Sequence, residues 1–220
     1  MATDRRGLRA TPGLRFAKLL GTGGGRTFTP RDADPLHWGF LAVWDDATSA
    51  DAFAGHRLHR GWNALARERL DVRMVPLSSR GRWAGREPFG TPLPDGEAPV
   101  GPIAAITRAR LRWRRARAFW RASPAVAADL HTGAGPLLAI GIGEAPIGLQ
   151  GTFSLWRSAA ELTEFAYRRA PHAAAIRRTP DEGWYAEELF ARLRVITMTG
   201  TYRGRRLEWD AGEASVDSRP

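Results

Sequence analysis

Apolar and polar positions alternate most plainly between residues 103 and 113. There Arg108, Arg110 and Arg112 interleave with Ala109, Leu111 and Trp113, a period of two that predicts a strand. Apolar runs bounded by turn-forming residues predict further strands at 137–142 and 149–156, joined through the Gly/Pro-containing stretch 143–148, and at 193–199. Two stretches switch to helical spacing. Residues 116–130 read as helix, with Ser123 before Pro124 placed to cap a second segment. Ser158 caps another helix that runs to about residue 178, with Leu162, Phe165, Arg169, His172 and Ile176 on one face and a kink at Pro171. From residue 103 onward the order is therefore βαββαβ, the ferredoxin-like unit.

The same pattern occurs earlier in the chain. Gly39-Phe-Leu-Ala-Val-Trp44 recurs 112 residues later as Gly151-Thr-Phe-Ser-Leu-Trp156, and that offset also pairs Phe53 with Phe165, Ala54 with Ala166 and Arg57 with Arg169. Leu20-Gly-Thr-Gly23 matches Ile140-Gly-Ile-Gly143 at 120, and Leu70, Val72 and Arg80-Gly-Arg82 match Leu193, Val195 and Arg203-Gly-Arg205 at 123. This first copy predicts strands at 14–20, 38–44 and 72–77 and a helix at 49–67, without the opening strand and helix of the unit. The fold class that follows is α+β, with tandem ferredoxin-like repeats forming a fused, pseudo-dimeric α+β barrel. Residues 12–83 make the truncated first half, 84–101 a Pro/Gly-rich linker, 102–207 the second half and 208–220 an acidic, disordered tail. The missing strand leaves an edge that a second copy of the chain would cover, making a homo-oligomer. Between the first and last offsets the spacing grows by 123 − 112 = 11 residues, inserted between Arg169 and Arg192. A break in the symmetry is the place to look for a site, and His172 lies in it facing inward.

Composition narrows the chemistry. The 220 residues include no cysteine, which removes disulfides, thiolate metal sites and cysteine nucleophiles. The formal charge is +10, but Lys18 is the only lysine among 33 basic residues, so arginine usage follows composition as much as function. An anionic partner remains open, whereas no nucleic-acid recognition motif accompanies the charge and the aromatic signature of an RNA-binding sheet is absent, so no nucleic-acid partner is expected. Neither a signal peptide nor an apolar run of membrane-spanning length is found, and a cytoplasmic location is expected. His56 and His59 sit three apart on a helix with no third ligand, and read as a solvated face; His37 precedes a strand, and His131 ends a helix. Gly21-Thr-Gly-Gly-Gly25 leads to no helix and reads as a tight turn rather than a phosphate loop. Arg108, Arg110 and Arg112 either face solvent or pair with an anionic cofactor. His172, taken alone, reads as a core histidine hydrogen-bonded to a carbonyl ahead of a ligand.

Longer segments carry a resemblance. Residues 12–23 (Pro-Gly-Leu-Arg-Phe-Ala-Lys-Leu-Leu-Gly-Thr-Gly), 80–89 (Arg-Gly-Arg-Trp-Ala-Gly-Arg-Glu-Pro-Phe) and 102–109 (Pro-Ile-Ala-Ala-Ile-Thr-Arg-Ala) are similar to the spheroidene monooxygenase family. So are Gly141-Ile-Gly-Glu144, residues 150–156, Pro171-His-Ala-Ala-Ala-Ile176 and residues 183–192, which together span about 12–205. The resemblance implies a haem b protein that oxygenates a carotenoid at an activated allylic carbon, fed with electrons by a reductase through a ferredoxin-type carrier. It also implies an apolar small-molecule substrate and peripheral membrane contact to reach it. In a cysteine-free chain it makes His172 the candidate axial ligand, with Arg169 and Arg108 at propionates or at bound dioxygen, and Trp184 and Trp120 lining an apolar pocket. For the two tryptophans ordinary core packing is the competing reading. Haem chemistry of another type, such as dehydration or rearrangement, and a cofactor-free oxygenase or binding protein are the alternatives.

Overall fold

A computed structural model of the chain describes residues 4–27, 30–90, 100–112, 114, 135–144, 149–168 and 184–212. Helix α1 (Asp4–Arg9) is followed by strands β1 (Leu14–Gly23) and β2 (Ala33–Trp44), helices α2 (Ala47–Ala52) and α3 (Arg57–Leu65), and strands β3 (Leu70–Gly81) and β4 (Ile103–Leu111). Strands β5 (Leu138–Gly143) and β6 (Leu149–Trp156), helix α4 (Ala159–Thr163), a π-helical turn over Glu164–Arg168, and strands β7 (Tyr185–Tyr202) and β8 (Arg205–Asp210) complete it. The strands form one sheet in the order β2-β1-β5-β6-β4-β7-β3, with β8 paired to β7. The pairs β1–β5, β5–β6, β6–β4, β4–β7 and β7–β8 are all antiparallel. Among the described residues no helix is long and apolar enough to cross a membrane.

By compactness the chain divides into two units. The first comprises Met1–Leu19, Phe40–Arg73 and Ile196–Pro220, the second Leu20–Gly39 and Met74–Val195. In the first, Leu8 of α1 packs with Phe53 and Leu58, flanked by Leu14, Leu19, Phe40, Trp44 and Trp62. The short helix α1 stands where the sequence predicted none. Residues 49–67 were expected as one helix but break at Phe53–Gly55, a 3-10 turn, and at His56, which is extended. The break has a physical reason: the His56 ring caps α3, its Nδ1 accepting from Leu58 N at 3.3 Å, while its face stacks on Phe53.

In the second unit β4 is buried on both faces. Ile103 packs with Trp156, Leu162 and Phe165 beneath α4, and Ala104 and Ile106 face the other way with Leu155, Leu189 and Val195. That double burial is why 103–106 reads as a continuous apolar run. Ser158 caps α4 as expected, its side chain accepting from Glu161 N; the predicted continuation to 178 and the helix at 116–130 lie outside the described residues. The last strand is far longer than the predicted 193–199, because the polar stretch from Tyr185 to Phe190 is drawn into β7 by buried partners described below.

The internal repeat meets itself in the sheet. Gly21, Thr22 and Gly23 of β1 pair with Gly143, Ile142 and Gly141 of β5, so Thr22 lies opposite its own counterpart at the 120 offset. A second recurrence corrects the sequence alignment. Ala84 and Gly85 adopt left-handed backbone (φ 54° and 73°) and donate to the Glu187 carboxylate; Arg203 and Gly204 (φ 51° and 73°) donate in the same way to Glu68. Arg82 N bonds Glu188 O, and Thr201 N bonds Arg69 O. All these pairs are 119 apart, not the 123 inferred from Leu70, Val72 and Arg80-Gly-Arg82, so the excess over the 112 offset is 119 − 112 = 7 residues. The acidic stretch expected to be disordered from 208 begins inside β8, and Phe89, within the expected linker, is buried.

Candidate functional site

Register on β4 sets the site. Arg108 lies opposite Gly151 of β6 and Leu189 of β7, on the face shared with Ala104 and Ile106. At Gly151 the two backbones come so close that a Cβ would stand 2.1 Å from Thr107 O and 2.9 Å from Arg108 Cα. Glycine is the residue this crossing admits.

Arg108 is 4% exposed, and three groups converge on it from other strand ends. Glu144, the first residue after β5, takes Nε at 3.2 Å and Nη2 at 2.9 Å on a single oxygen, Oε2. Glu187, near the start of β7, takes Nη1 on its Oε1. Trp83, just after β3 and 1% exposed, donates its indole N–H to the same Glu144 Oε2 at 2.7 Å. Its ring lies 5.7 Å from the guanidinium carbon, a cation–π distance. Ala84 N at 3.0 Å and Gly85 N at 2.7 Å complete the shell of Glu187. Burial pushes the Glu187 carboxyl upward, but the N–H groups of Gly85 and Ala84 together with the Arg108 guanidinium outweigh it and hold the group below the usual glutamate range. Among the described contacts one guanidinium meets two carboxylates.

Such a guanidinium is not an open anion receptor. Three of its N–H vectors already end on carboxylates, and its charge is more than balanced. The arrangement instead locks the ends of β3, β4, β5 and β7 to one another, and truncating Arg108 would strand two carboxylates in a site with little water.

The sequence named Arg108, Trp184, His172, Arg169 and Trp120. Arg108 and Trp184 are described; His172, Arg169 and Trp120 lie outside the described residues, as does His131. Trp184 directly precedes β7, is 2% exposed, and accepts from Arg112 N on its carbonyl at 2.8 Å. The arginine stripe is not uniform: Arg108 is buried, whereas Arg110 and Arg112 are exposed, and the β4–β7 register shifts after Arg110. His56 and His59 are half-buried rather than solvated, the first capping α3 and the second bonded through Nδ1 to Ala54 O at 3.1 Å. His37 falls inside β2, paired with Asp34 at 2.9 Å. Among the described residues no group of three metal-ligating side chains occurs. Gly21 and Gly23 sit in strand β1, where a tight turn was expected.

Glu144, Glu187 and Trp83 were not singled out by sequence. A signal existed: Trp83-Ala-Gly, Arg108, Glu144 and Glu187 each belong to a segment that carries the family resemblance, and those four segments meet here.

No family profile matches the chain. Two solved structures of candidate monooxygenases, from Fusobacterium nucleatum and Lactobacillus acidophilus, superpose loosely. Their TM-scores are 0.43 and 0.40 at 12% and 9% identity, covering 95% and 94% of this chain and 88% and 87% of theirs. Curated sequences are far nearer. Spheroidene monooxygenase of Rhodobacter capsulatus is 38% identical over 209 residues, 93% of this chain and 85% of that protein. The Cereibacter sphaeroides protein of the same name is 35% identical over 93% of this chain and 63% of its own length. That of Rubrivivax gelatinosus is 38% identical over 89% and 74%. The chain belongs to the spheroidene monooxygenase family.

Proposed function

We propose that the chain is a monooxygenase acting on an apolar, carotenoid-like substrate, spheroidene or a polyene like it. One observation carries the reading: 38% identity to the Rhodobacter capsulatus enzyme across 93% of the chain. The reaction balances as RH + O2 + 2 e− + 2 H+ → ROH + H2O, at an allylic carbon beside the polyene. A second turn at that carbon yields a geminal diol that loses water to a ketone. Electrons come from a reductase through a ferredoxin-type carrier.

For the cofactor we propose haem b, which would supply dioxygen activation, with His172 as axial ligand. Support is the family resemblance around Pro171-His172 and a cysteine-free composition that leaves histidine the natural ligand. Arg108, covered by two carboxylates, does not fit a propionate partner, which leaves Arg169 for that place. The fold is read as two ferredoxin-like repeats fused into a pseudo-dimeric barrel. The β5-β6-β4-β7 order, matching strands 2-3-1-4 of the unit, and the Thr22–Ile142 crossing support that reading.

The test is expression in cells that accumulate spheroidene and lack their own monooxygenase. Oxygenated carotenoid labelled from isotopically heavy dioxygen is expected; unchanged carotenoid beside soluble, folded protein sinks the proposal. Hemin titration of the purified chain is expected to saturate at about one per chain and to fail in His172→Ala. Full binding in that variant removes His172 from the role.

A further inference from the structure

We infer that the outer edges of β2 and β3, at Phe40–Trp44 and Leu70–Arg73 of the first unit, form a strand-acceptor site. Its occupant is an extended segment of another polypeptide, apolar at alternate positions and carrying an arginine for Glu68. The repeat defines the site. Strand β4 lies between β6 and β7 and pairs antiparallel with both. At offsets of 112 and 119, β2 is the counterpart of β6 and β3 that of β7. Among the described strands none takes the place of β4 beside them, and β2 and β3 are the two ends of the strand order.

Three observations give the occupant the chemistry of β4. The first is burial. Leu155, Trp156, Leu189 and Ala191, which flank β4, are buried, whereas their counterparts Val43, Trp44, Leu70 and Val72 are only half-buried. Apolar edges left in this state are templates for an added strand. The second is Gly39. Its counterpart Gly151 is held to glycine by Thr107 O and Arg108 Cα of the crossing strand. Gly39 has no left-handed φ, and among the described residues its Cβ would meet nothing nearer than Leu20 Cβ at 3.8 Å. The room for a crossing strand is thus present on β2. The third is Glu68, which accepts from Arg203 N at 2.8 Å and Gly204 N at 3.1 Å as Glu187 does from Ala84 and Gly85. Glu187 takes Arg108 Nη1 besides those two N–H groups, so two backbone bonds do not fill such a carboxylate. Arg108 stands opposite Gly151 and Leu189; an arginine in the same register on an added strand would stand opposite Gly39 and Leu70. A second copy of this chain matches less well. Its β2 edge carries no arginine, and its β3 edge is interrupted by Pro76, which has no N–H to give.

The probe is a fluorescein-labelled peptide with the sequence of residues 102–112, Pro-Ile-Ala-Ala-Ile-Thr-Arg-Ala-Arg-Leu-Arg, titrated with the full-length chain and read by anisotropy. Saturation at about one peptide per chain is expected, with amide hydrogen exchange slowed at 40–44 and 70–73. Affinity is expected to fall about tenfold for Glu68→Gln and for a peptide carrying Arg108→Gln, because each removes one half of a charge-assisted pair. Gly39→Val, which fills the crossing, is expected to weaken binding further. A scrambled peptide that binds equally overturns the inference, as does the absence of saturable binding. Slowed exchange confined to β6 and β7 would mean that the peptide merely replaces β4, and overturns it too. Slowed exchange at 40–44 and 70–73 that grows with chain concentration alone assigns the edges to a second copy, again overturning it. Should Glu68→Gln not fold, the Arg108→Gln peptide against the wild-type chain decides: undiminished affinity removes the arginine and the inference with it.

Discussion

Arg108 sits among more carboxylate than its own charge balances, and Glu187 carries the pH consequence. Its folded pKa lies below the unfolded value of 4.5, so the native state binds the proton less readily than the unfolded chain does. The stabilisation it contributes is complete above that value and drains away as pH falls through the lower, folded one. The stability gap between wild type and Glu187→Gln, measured by urea denaturation, is therefore expected to stay constant from neutral pH down to about 4.5 and to close below it. A gap that widens on acidification would contradict the assignment. At this scale the sequence was half legible. Alternation found Arg108, but a side chain's partners lie across strands that a linear pattern does not order. Glu144 and Glu187 follow or occupy strands whose pairing is known only once the sheet is built. His172, Arg169 and Trp120 lie outside the described residues.

Elements were more legible where one face governs them than where local chemistry intervenes. Strands β5 and β6 agree with the expected bounds to within a residue or so, because their apolar runs end at turn residues. The helix expected over 49–67 broke because His56 satisfies the free N–H of a new helix start, a role that helical periodicity does not reveal. Strand β7 was underestimated because Glu187 looks like loop chemistry until Arg108 and two backbone N–H groups receive it. The crossing of β4 and β6 offers a direct test. In Gly151→Ala the new methyl would meet Thr107 O at 2.1 Å, and the backbones must part to admit it. The expected cost is about 1–3 kcal/mol, read as a lower denaturation midpoint. A midpoint equal to wild type would mean the strands already have room.

For the whole molecule, the repeat was the most informative thing in the sequence, and its GxG segments pair with each other across the sheet. Its final offset was misread because apolar strand residues match at any even shift and the Arg-Gly-Arg match at 123 is a short one, whereas the left-handed turns and the glutamates they hold align at 119. Net charge, at +10, said little about partners that the structure could resolve.

Strand β7 has a last consequence, and it concerns synthesis. Among the described strands it is the one neighbour of β3 in the sheet and it lines one side of β4, yet it is translated after both. Thr201 bonds to Arg69, a separation of 201 − 69 = 132 residues. A growing chain must therefore leave β3 and one edge of β4 unpaired until β7 has been made. Ribosome-bound chains halted before residue 185 are expected to be cut by protease within residues 70–81, and those that have extruded residue 202 to resist, so the yield of this protein should respond to chaperone supply more than to the stability of the finished fold.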